Sequence, residues 1–452
     1  MNNDYVIVAQ ATPPGVAGVS IVRLSGPDSK IKKMIPLLSN LSVSAVKPRM
    51  ASFAYFYDQL KNKIDEGLLL YFEGPNSYTG ESVLELQSHG GVMVPRLIIE
   101  ACMYHGCRQA APGEFSLRAV LNDKMTTLKA EAICGLIHAD NEAQARAALR
   151  SMRGDFSEKI ANIERRIKHF RVMLESAIDF DGEDINPNTS LSELVVICEE
   201  IEKLYHQTQE AVSVNHDQHV CLLGPPNAGK SSWLNRLMKD DVAIVNAEAG
   251  TTRDLIEKRL LIRNRWVQIT DTAGIRETKN TIELEGVKRA KAKVDSVDLV
   301  VWVVDLSDLS DLDTLSKDLP TNLISDLKRM LILWNKKDQH QVIHKDLIWR
   351  SHPVHCVSSF DEHDVRFVLD LISKKIIQPT SDAFYARQRH LDVLANINRL
   401  SCEVLSQAQE TYDVVWVAEV MRETQLELDK LVGLFSTDDL LGEIFGSFCI
   451  GK

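Results

Sequence analysis

One stretch limits what this chain can become more than any other: Gly224-Pro225-Pro226-Asn227-Ala228-Gly229-Lys230-Ser231-Ser232. A short apolar run, His219-Val220-Cys221-Leu222-Leu223, precedes it, and Trp233-Leu234-Asn235-Arg236-Leu237 follows with helical character. Strand, glycine loop and helix in that order make a phosphate-binding loop. The glycines let successive backbone N–H groups turn inward around a phosphate, and the helix N-terminus adds its positive end. Lys230 then reaches the outer phosphates, and Ser231 places its hydroxyl on magnesium. Asn227, Ala228, Gly229 and Ser232 complete the nucleotide-binding set of this loop.

Further segments narrow the nucleotide. Asp271-Thr272-Ala273-Gly274 comes after Trp266-Val267-Gln268-Ile269-Thr270, whose apolar-polar alternation suits a strand. Its aspartate suits the magnesium shell, and its glycine can present an N–H to the terminal phosphate. Asn335-Lys336-Lys337-Asp338 ends a second apolar run, Met330-Leu331-Ile332-Leu333-Trp334. A carboxylate at Asp338 can accept two hydrogen bonds from the N–H groups of guanine's edge, which adenine cannot offer. Behind a phosphate loop and a DTAG, this predicts GTP over ATP. Val357-Ser358-Ser359 stands where the last guanine-contacting loop is expected, with Ser358 as the contact; the usual Ser-Ala is broken by Ser359.

The residue after Gly274 is Ile275, where small GTPases of the Ras kind place a water-orienting glutamine. Positioning must come from elsewhere. Asn246-Ala247-Glu248-Ala249-Gly250-Thr251-Thr252-Arg253-Asp254 is a polar loop placed to close over the phosphates. Thr252 is a candidate magnesium ligand with Ser231, and a candidate catalytic residue. Asn227, Asn246, Glu248 and Thr251 would form a nest of oxygen donors suited to potassium, which would neutralise charge as an arginine finger does. The alternative is that Asn227 only caps its loop.

These pieces together resemble the MnmE (TrmE) family of tRNA wobble-uridine modification GTPases. The resemblance rests on the phosphate loop, on Ala249–Asp254, on Asp271-Thr272-Ala273-Gly274-Ile275-Arg276 and on the terminal Phe448-Cys449-Ile450-Gly451-Lys452. It extends to Ile7–Gly15, Pro75-Asn76-Ser77-Tyr78-Thr79-Gly80-Glu81, His89-Gly90-Gly91, Pro112–Ser116 and Arg118–Lys124. It implies a tetrahydrofolate derivative (5-formyl or 5,10-methylene) in the N-terminal domain, with Arg23, Glu85, Lys124 and Lys452 at the folate positions. It also implies Glu283 as the catalytic glutamate, a homodimer joined through the N-terminal domain, and a flavoprotein partner, MnmG, in a heterotetramer acting on tRNA. Carbon 5 of the uridine would receive a carboxymethylaminomethyl or aminomethyl group. From the residues alone, Glu85 sits opposite its apolar neighbours Leu84 and Leu86 on a strand, a solvated or hydrogen-bonded carboxylate; Arg23 and Lys124 read as surface charges. Cys449 is either a nucleophile toward a uracil ring or a packed thiol.

At 452 residues the chain has room for about three domains. No run approaches about 18 uninterrupted apolar residues, so no membrane span is expected. The start Met1-Asn2-Asn3-Asp4 lacks the basic and apolar stretches of a signal peptide, and the eight scattered cysteines hold no CxxC. A cytoplasmic chain with reduced thiols is expected. A net charge of −11 excludes a chain that coats nucleic acid indiscriminately, so RNA needs a local basic patch or a basic partner.

Residues from about 4 to 118 read as strand-like runs broken by glycine and proline, such as Val19–Leu24 and Ser82–Gln87. Farther on, Phe156, Ile160, Ile163, Ile167, Phe170 and Leu174 recur at steps of four and three, a long amphipathic helix. Pro187 interrupts, helical text resumes to about 212, and after the GTPase unit Leu391, Leu394, Ile397, Leu400 and Val404 restore helical spacing. Neither helical block can bury its apolar face alone. The expected architecture is multidomain, α/β plus α. An α+β N-terminal domain for folate and dimerisation covers 1–118, and a discontinuous helical domain covers 119–214 and 378–452. A Ras-like P-loop GTPase domain over 215–377 is inserted into it. Ser436 would cap a last helix ahead of the tail. The competing reading is an Era-like ribosome-assembly switch; such chains carry a KH module after the GTPase, and residues 380–452 lack its GXXG loop.

Overall fold

The computed structural model describes residues 5–179, 187–215, 218–225, 227–238, 257–262, 265–271, 297–305, 330–339, 347–349, 352–376, 383–432 and 451. The chain forms two compact units. The first comprises Met1–His138, Ala148–Tyr205 and Gln388–Lys452, and the second Ala139–Ala147 and His206–Arg387. The first is therefore discontinuous, with the second inserted between its helices.

The first unit opens with β1 (Ile7–Gln10), β2 (Val19–Gly26), α1 (Asp28–Leu38), β3 (Ser52–Tyr57), β4 (Lys63–Phe72), β5 (Ser82–His89), α2 (Met93–Tyr104), β6 (Arg108–Gln109) and α3 (Glu114–Leu121). The strands make one sheet in the order β3-β4-β5-β2-β1-β6, antiparallel except for β1 beside β6. Alternation sorts its faces. Val22, Leu24, Leu84 and Leu86 bury against Ile31 and Ile35 of α1 and Ile98 and Ala101 of α2, while Ile7 and Ala9 face Phe115 of α3. The strand-like reading of this region misses three helices. Their apolar residues recur at helical steps (Ile31, Met34, Ile35, Leu38), but each helix is short and set among period-two runs, so its periodicity is diluted.

Helices then take over: α4 (Thr127–His138), α5 (Glu142–Arg153), α6 (Asp155–Asp179) and α7 (Pro187–Asn215). The face Phe156, Ile160, Ile163, Ile167, Phe170 and Leu174 of α6 is buried, as its spacing predicts. Pro187 is the first residue of α7, where its missing N–H has no helical partner to lose.

The second unit contains β7 (Gln218–Leu223), α8 (Lys230–Leu237), β8 (Glu257–Ile262), β9 (Arg265–Asp271), β10 (Leu299–Asp305), β11 (Met330–Asn335), β12 (Leu347–Trp349), β13 (His352–Cys356) and α9 (Glu362–Ile376). Its sheet runs β12-β13-β11-β10-β7-β9-β8, with β13, β11, β10, β7 and β9 parallel and the two edge strands antiparallel. Every residue of β10 and β11 is buried, as in a parallel sheet covered on both faces. Returning to the first unit, the chain forms α10 (Gln388–Glu410) and α11 (Val414–Val432). Leu394, Ile397, Leu400 and Val404 of α10 are buried. Across the unit, Glu131 of α4 is fully buried and accepts from Arg389 Nε at 2.8 Å and Nη2 at 2.6 Å, with His390 Nε2 at 2.7 Å. The expected helix start at Ser436 lies outside the described residues.

Candidate functional site

Parallel strands present their carboxyl ends together, and the candidate residues gather there. β7 runs into the glycine loop; Asp271 ends β9 in register with Leu222, and Asp305 ends β10 in register with Asn335. Ligands of open parallel sheets bind at such an edge. The loop's glycines are required by contact as well as by conformation. Gly224 has φ +147°, and a Cβ there would stand 2.0 Å from the Val303 carbonyl oxygen. Gly229 has φ +95°, and a Cβ there would stand 2.2 Å from Asn335 Nδ2. Asn227 also adopts a left-handed φ of +62°.

Lys230 opens α8, and its ammonium donates to the carbonyls of Gly224 and Pro225 at 3.0 and 2.8 Å. The amine therefore curls over the loop that would cradle the phosphates. Ser231 and Ser232 lie exposed in the first turn of α8, while Ala228 is buried. Asn227 is exposed, and its amide makes no hydrogen bond among the described residues. No capping bond from that side chain is present there.

Asn335 has a role the sequence does not expose. Its Nδ2 donates to the Ala228 carbonyl at 2.8 Å, and its Oδ1 accepts from Trp233 Nε1 at 3.0 Å. The NKxD turn is thus braced directly onto the phosphate loop. Lys336, at φ +67°, pairs with Asp305. Asp338 is exposed and accepts from Ser358 Oγ at 2.5 Å. Asp364 fixes both turns: it accepts from Ser358 N at 2.8 Å and from Lys337 Nζ at 3.2 Å. Ser359 is buried. Asp305 and Asp364 belong to none of the motifs found in the sequence, although an aspartate closing an unbroken apolar strand is a usable signal for the first. Asn246, Ala247, Glu248, Ala249, Gly250, Thr251, Thr252, Thr272, Ala273, Gly274, Ile275 and Glu283 lie outside the described residues, as does the side chain of Asp271. Among the described residues no cluster of histidine, cysteine and acidic groups could by itself hold a metal ion.

The first unit holds a second group of candidates. Arg23 and Glu85 are cross-strand partners on β2 and β5, and Arg23 Nε donates to Glu85 Oε1 at 2.8 Å. Neither is a free surface charge: their side chains are 19% and 12% exposed. The Arg23 guanidinium lies 6.0 Å from the ring centres of both Tyr78 and Phe115, and the Gly451 carbonyl stands 3.5 Å from its Nη1. Gly451 is buried, with φ +98°, so close to Gln10 that a Cβ would meet its carbonyl oxygen at 2.3 Å. The end of the chain is therefore seated beside this pair; Cys449 and Lys452 are not among the described residues. Buried Arg118 braces the Tyr78 loop, donating to Glu81 Oε2 at 2.8 Å. Lys124 packs its stem along Gly80 in the same loop, 3.2 Å from where a Cβ would stand. The second oxygen of Glu85 accepts nothing from the described residues.

A doubly covered parallel sheet, a glycine loop at its carboxyl edge and an aspartate turn braced onto that loop define a Ras-like P-loop GTPase domain, here inserted into a helical domain behind an α+β N-terminal domain. Family models for the "GTP-binding protein TrmE N-terminus" match residues 6–124 and for the "MnmE helical domain" residues 128–449. The chain is 38% identical over 458 residues to the tRNA modification GTPase MnmE of Acinetobacter baylyi, covering 100% of this chain and 98% of that protein. It is 37% identical over 467 residues to the protein of the same name from Psychrobacter arcticus, covering 99% and 96%. A crystal structure of the G domain of the T. maritima FeoB iron transporter is similar at 21% identity, with a TM-score of 0.26 over 36% of this chain and 98% of that one. The chain belongs to the MnmE family of GTPases.

Proposed function

We propose that this chain is the GTP-hydrolysing subunit of a tRNA wobble-uridine modification complex. Working with a flavoprotein of the MnmG kind and a tetrahydrofolate one-carbon donor, it would help install a carboxymethylaminomethyl or aminomethyl group on carbon 5. The observation that carries the GTPase half is the Asn335 brace, which sets the phosphate loop and the Asp338 carboxylate at one edge of one sheet. Domains over 1–118, 119–214 with 378–452, and 215–377, a homodimer and a cytoplasmic location belong to the same proposal. No described helix is long and apolar enough to cross a membrane.

Backbone N–H groups of the loop would hold the phosphates, and Lys230 would leave the Gly224 and Pro225 carbonyls for the outer phosphates. Ser231 with Thr252 would hold magnesium, and Asn227, Asn246, Glu248 and Thr251 potassium; these cations supply charge neutralisation for the transferring phosphoryl group. Asn227 fits such a role in that its amide is exposed and makes no bond among the described residues. Glu283 would orient the attacking water where Ile275 cannot. In the first unit, the Glu85 oxygen that accepts no bond among the described residues would suit pterin N–H donors, while Arg23, Lys124 and Lys452 would suit the carboxylates of the glutamate tail.

Single-turnover hydrolysis of GTP in potassium and in sodium at equal ionic strength tests the catalytic half. Faster turnover in potassium, and a loss of about 10²-fold or more in Glu283→Ala at unchanged nucleotide affinity, are expected. Equal rates in the two salts would remove the potassium assignment. Mass spectrometry of tRNA nucleosides after incubation with the flavoprotein, folate and GTP tests the modification half.

A further inference from the structure

Lys124 belongs to two surroundings at once. One side of its stem lies on Gly80, in the loop whose Tyr78 ring stands beside Arg23. Its other side lines a cavity of about 440 Å³ between the turn ahead of α4 and the α5–α6 turn. That volume lies within the small-molecule range of roughly 300–1,000 Å³. Lys129 and Arg153 line the same cavity, as do the hydroxyl-bearing Thr126, Ser151 and Ser157. Three cations thus face one carboxylate, that of Asp123. Among the described residues, none of the three cations forms an ion pair. Elsewhere on this unit exposed arginines do find carboxylates, as Arg96 with Glu100 and Arg166 with Glu193 show. The cavity therefore gathers positive charge that no carboxylate of the described residues neutralises by direct pairing.

We propose that this cavity takes the γ-linked glutamates of a polyglutamylated tetrahydrofolate, so that the chain selects the long-tailed forms of its one-carbon donor. The inference rests on the folate reading given above. A ligand anchored by its N–H groups at Glu85 and running past Tyr78 and Gly80 meets Lys124 first, and the cavity with Lys129 and Arg153 next. Each added γ-glutamyl residue brings one carboxylate, and these cations, Lys124 and Lys129 around the start of α4 and Arg153 at the end of α5, are spread so as to meet successive ones. Strongly hydrated, partly exposed pairs of this kind contribute modestly one by one, so the selection comes from their number.

The test measures dissociation constants of 5-formyltetrahydrofolate with one and with five γ-linked glutamates, by calorimetry on the full chain. The five-glutamate form is expected to bind about tenfold tighter. That ratio should shrink toward one in 0.5 M potassium chloride, where the Debye length falls to about 4 Å, and likewise in the Lys129→Gln/Arg153→Gln variant. The wild-type ratio and its salt dependence need no variant to fold. Binding of both forms with equal affinity overturns this inference and leaves the folate reading standing. Binding of neither form overturns both. A variant that loses tRNA affinity while keeping the tail preference also overturns it, because the cavity would then serve RNA phosphates.

Discussion

The phosphate loop and the Arg23–Glu85 pair are built by opposite means. The loop is shaped by its backbone, and side chains matter mainly by being absent: Gly224 and Gly229 lie where a Cβ would collide with Val303 and Asn335. In the first unit the pair consists of side chains held by other side chains. Arg23 is fixed by Glu85, and the neighbouring loop is fixed by Arg118 and Glu81. Side chains hold side chains again in the helices, where buried Glu131 and His390 meet the partly exposed Arg389. A backbone site should tolerate many polar exchanges and no added carbon. A side-chain site should tolerate small carbons and fail on lost charge.

Glu131→Gln should give the largest effect. It strands Arg389 and His390 beside a neutral amide in a buried place, and the cost should be about 4 kcal/mol in denaturant unfolding. A loss under about 1 kcal/mol would show that the cluster is not held by charge. The same residue predicts a pH dependence. Burial alone would raise the Glu131 carboxyl, but His390 and Arg389 outweigh it and hold it at about 2, against an ordinary 4.5. Since the folded value is the lower one, the unfolded chain takes up the proton first as acid is added. Stabilisation of about 3 kcal/mol is complete above pH 4.5 and drains as pH falls toward 2. In Glu131→Gln that acid limb should be absent.

Gly229→Ala comes next on the comparison's other arm. It adds one carbon, removes no polar group, and should weaken binding of a fluorescent GDP analogue by about 3 kcal/mol, roughly 100-fold. Affinity within threefold of wild type would mean the loop does not need its left-handed turn. Asp338→Asn should lower GTP affinity by about 2–3 kcal/mol by weakening a charge-assisted pair of hydrogen bonds, with little change in unfolding, because the carboxylate is exposed. Calorimetric titration with GTP reads this directly, and an unchanged constant would place guanine recognition elsewhere. The smallest effect belongs to Arg23→Lys. It keeps the charge and loses the directed Nε donation to Glu85, for about 1 kcal/mol in folate binding by fluorescence quenching. An equal loss from Arg23→Ala would show that charge contributes nothing there.

Legibility in the sequence follows the same division. Strand, glycine loop and helix are contiguous, so the residues from Gly224 to Ser232 announce a phosphate site by their order alone. Long helices are equally plain: the buried face of α6 is the set its spacing picks out. The short helices α1, α2 and α3 are not, because two or three turns among strands leave too few periods to read. Asn335 is legible as part of a guanine motif, yet its brace on Ala228 and Trp233 is not, since both partners lie more than 100 residues away.

The sequence by itself determined the backbone-built part of this protein: a phosphate loop, a parallel sheet of buried strands, and amphipathic helices too narrow-faced to stand alone. Their determinants are local, being φ preference, period and steric size. Tertiary structure alone decided which charges meet. Arg23 reaches Glu85 across 62 residues, and Glu131 reaches His390 across 259. Such pairs depend on helix packing and on the pairing of strands far apart in the chain, such as β2 with β5, where a local pattern fixes the buried face but not the partner strand.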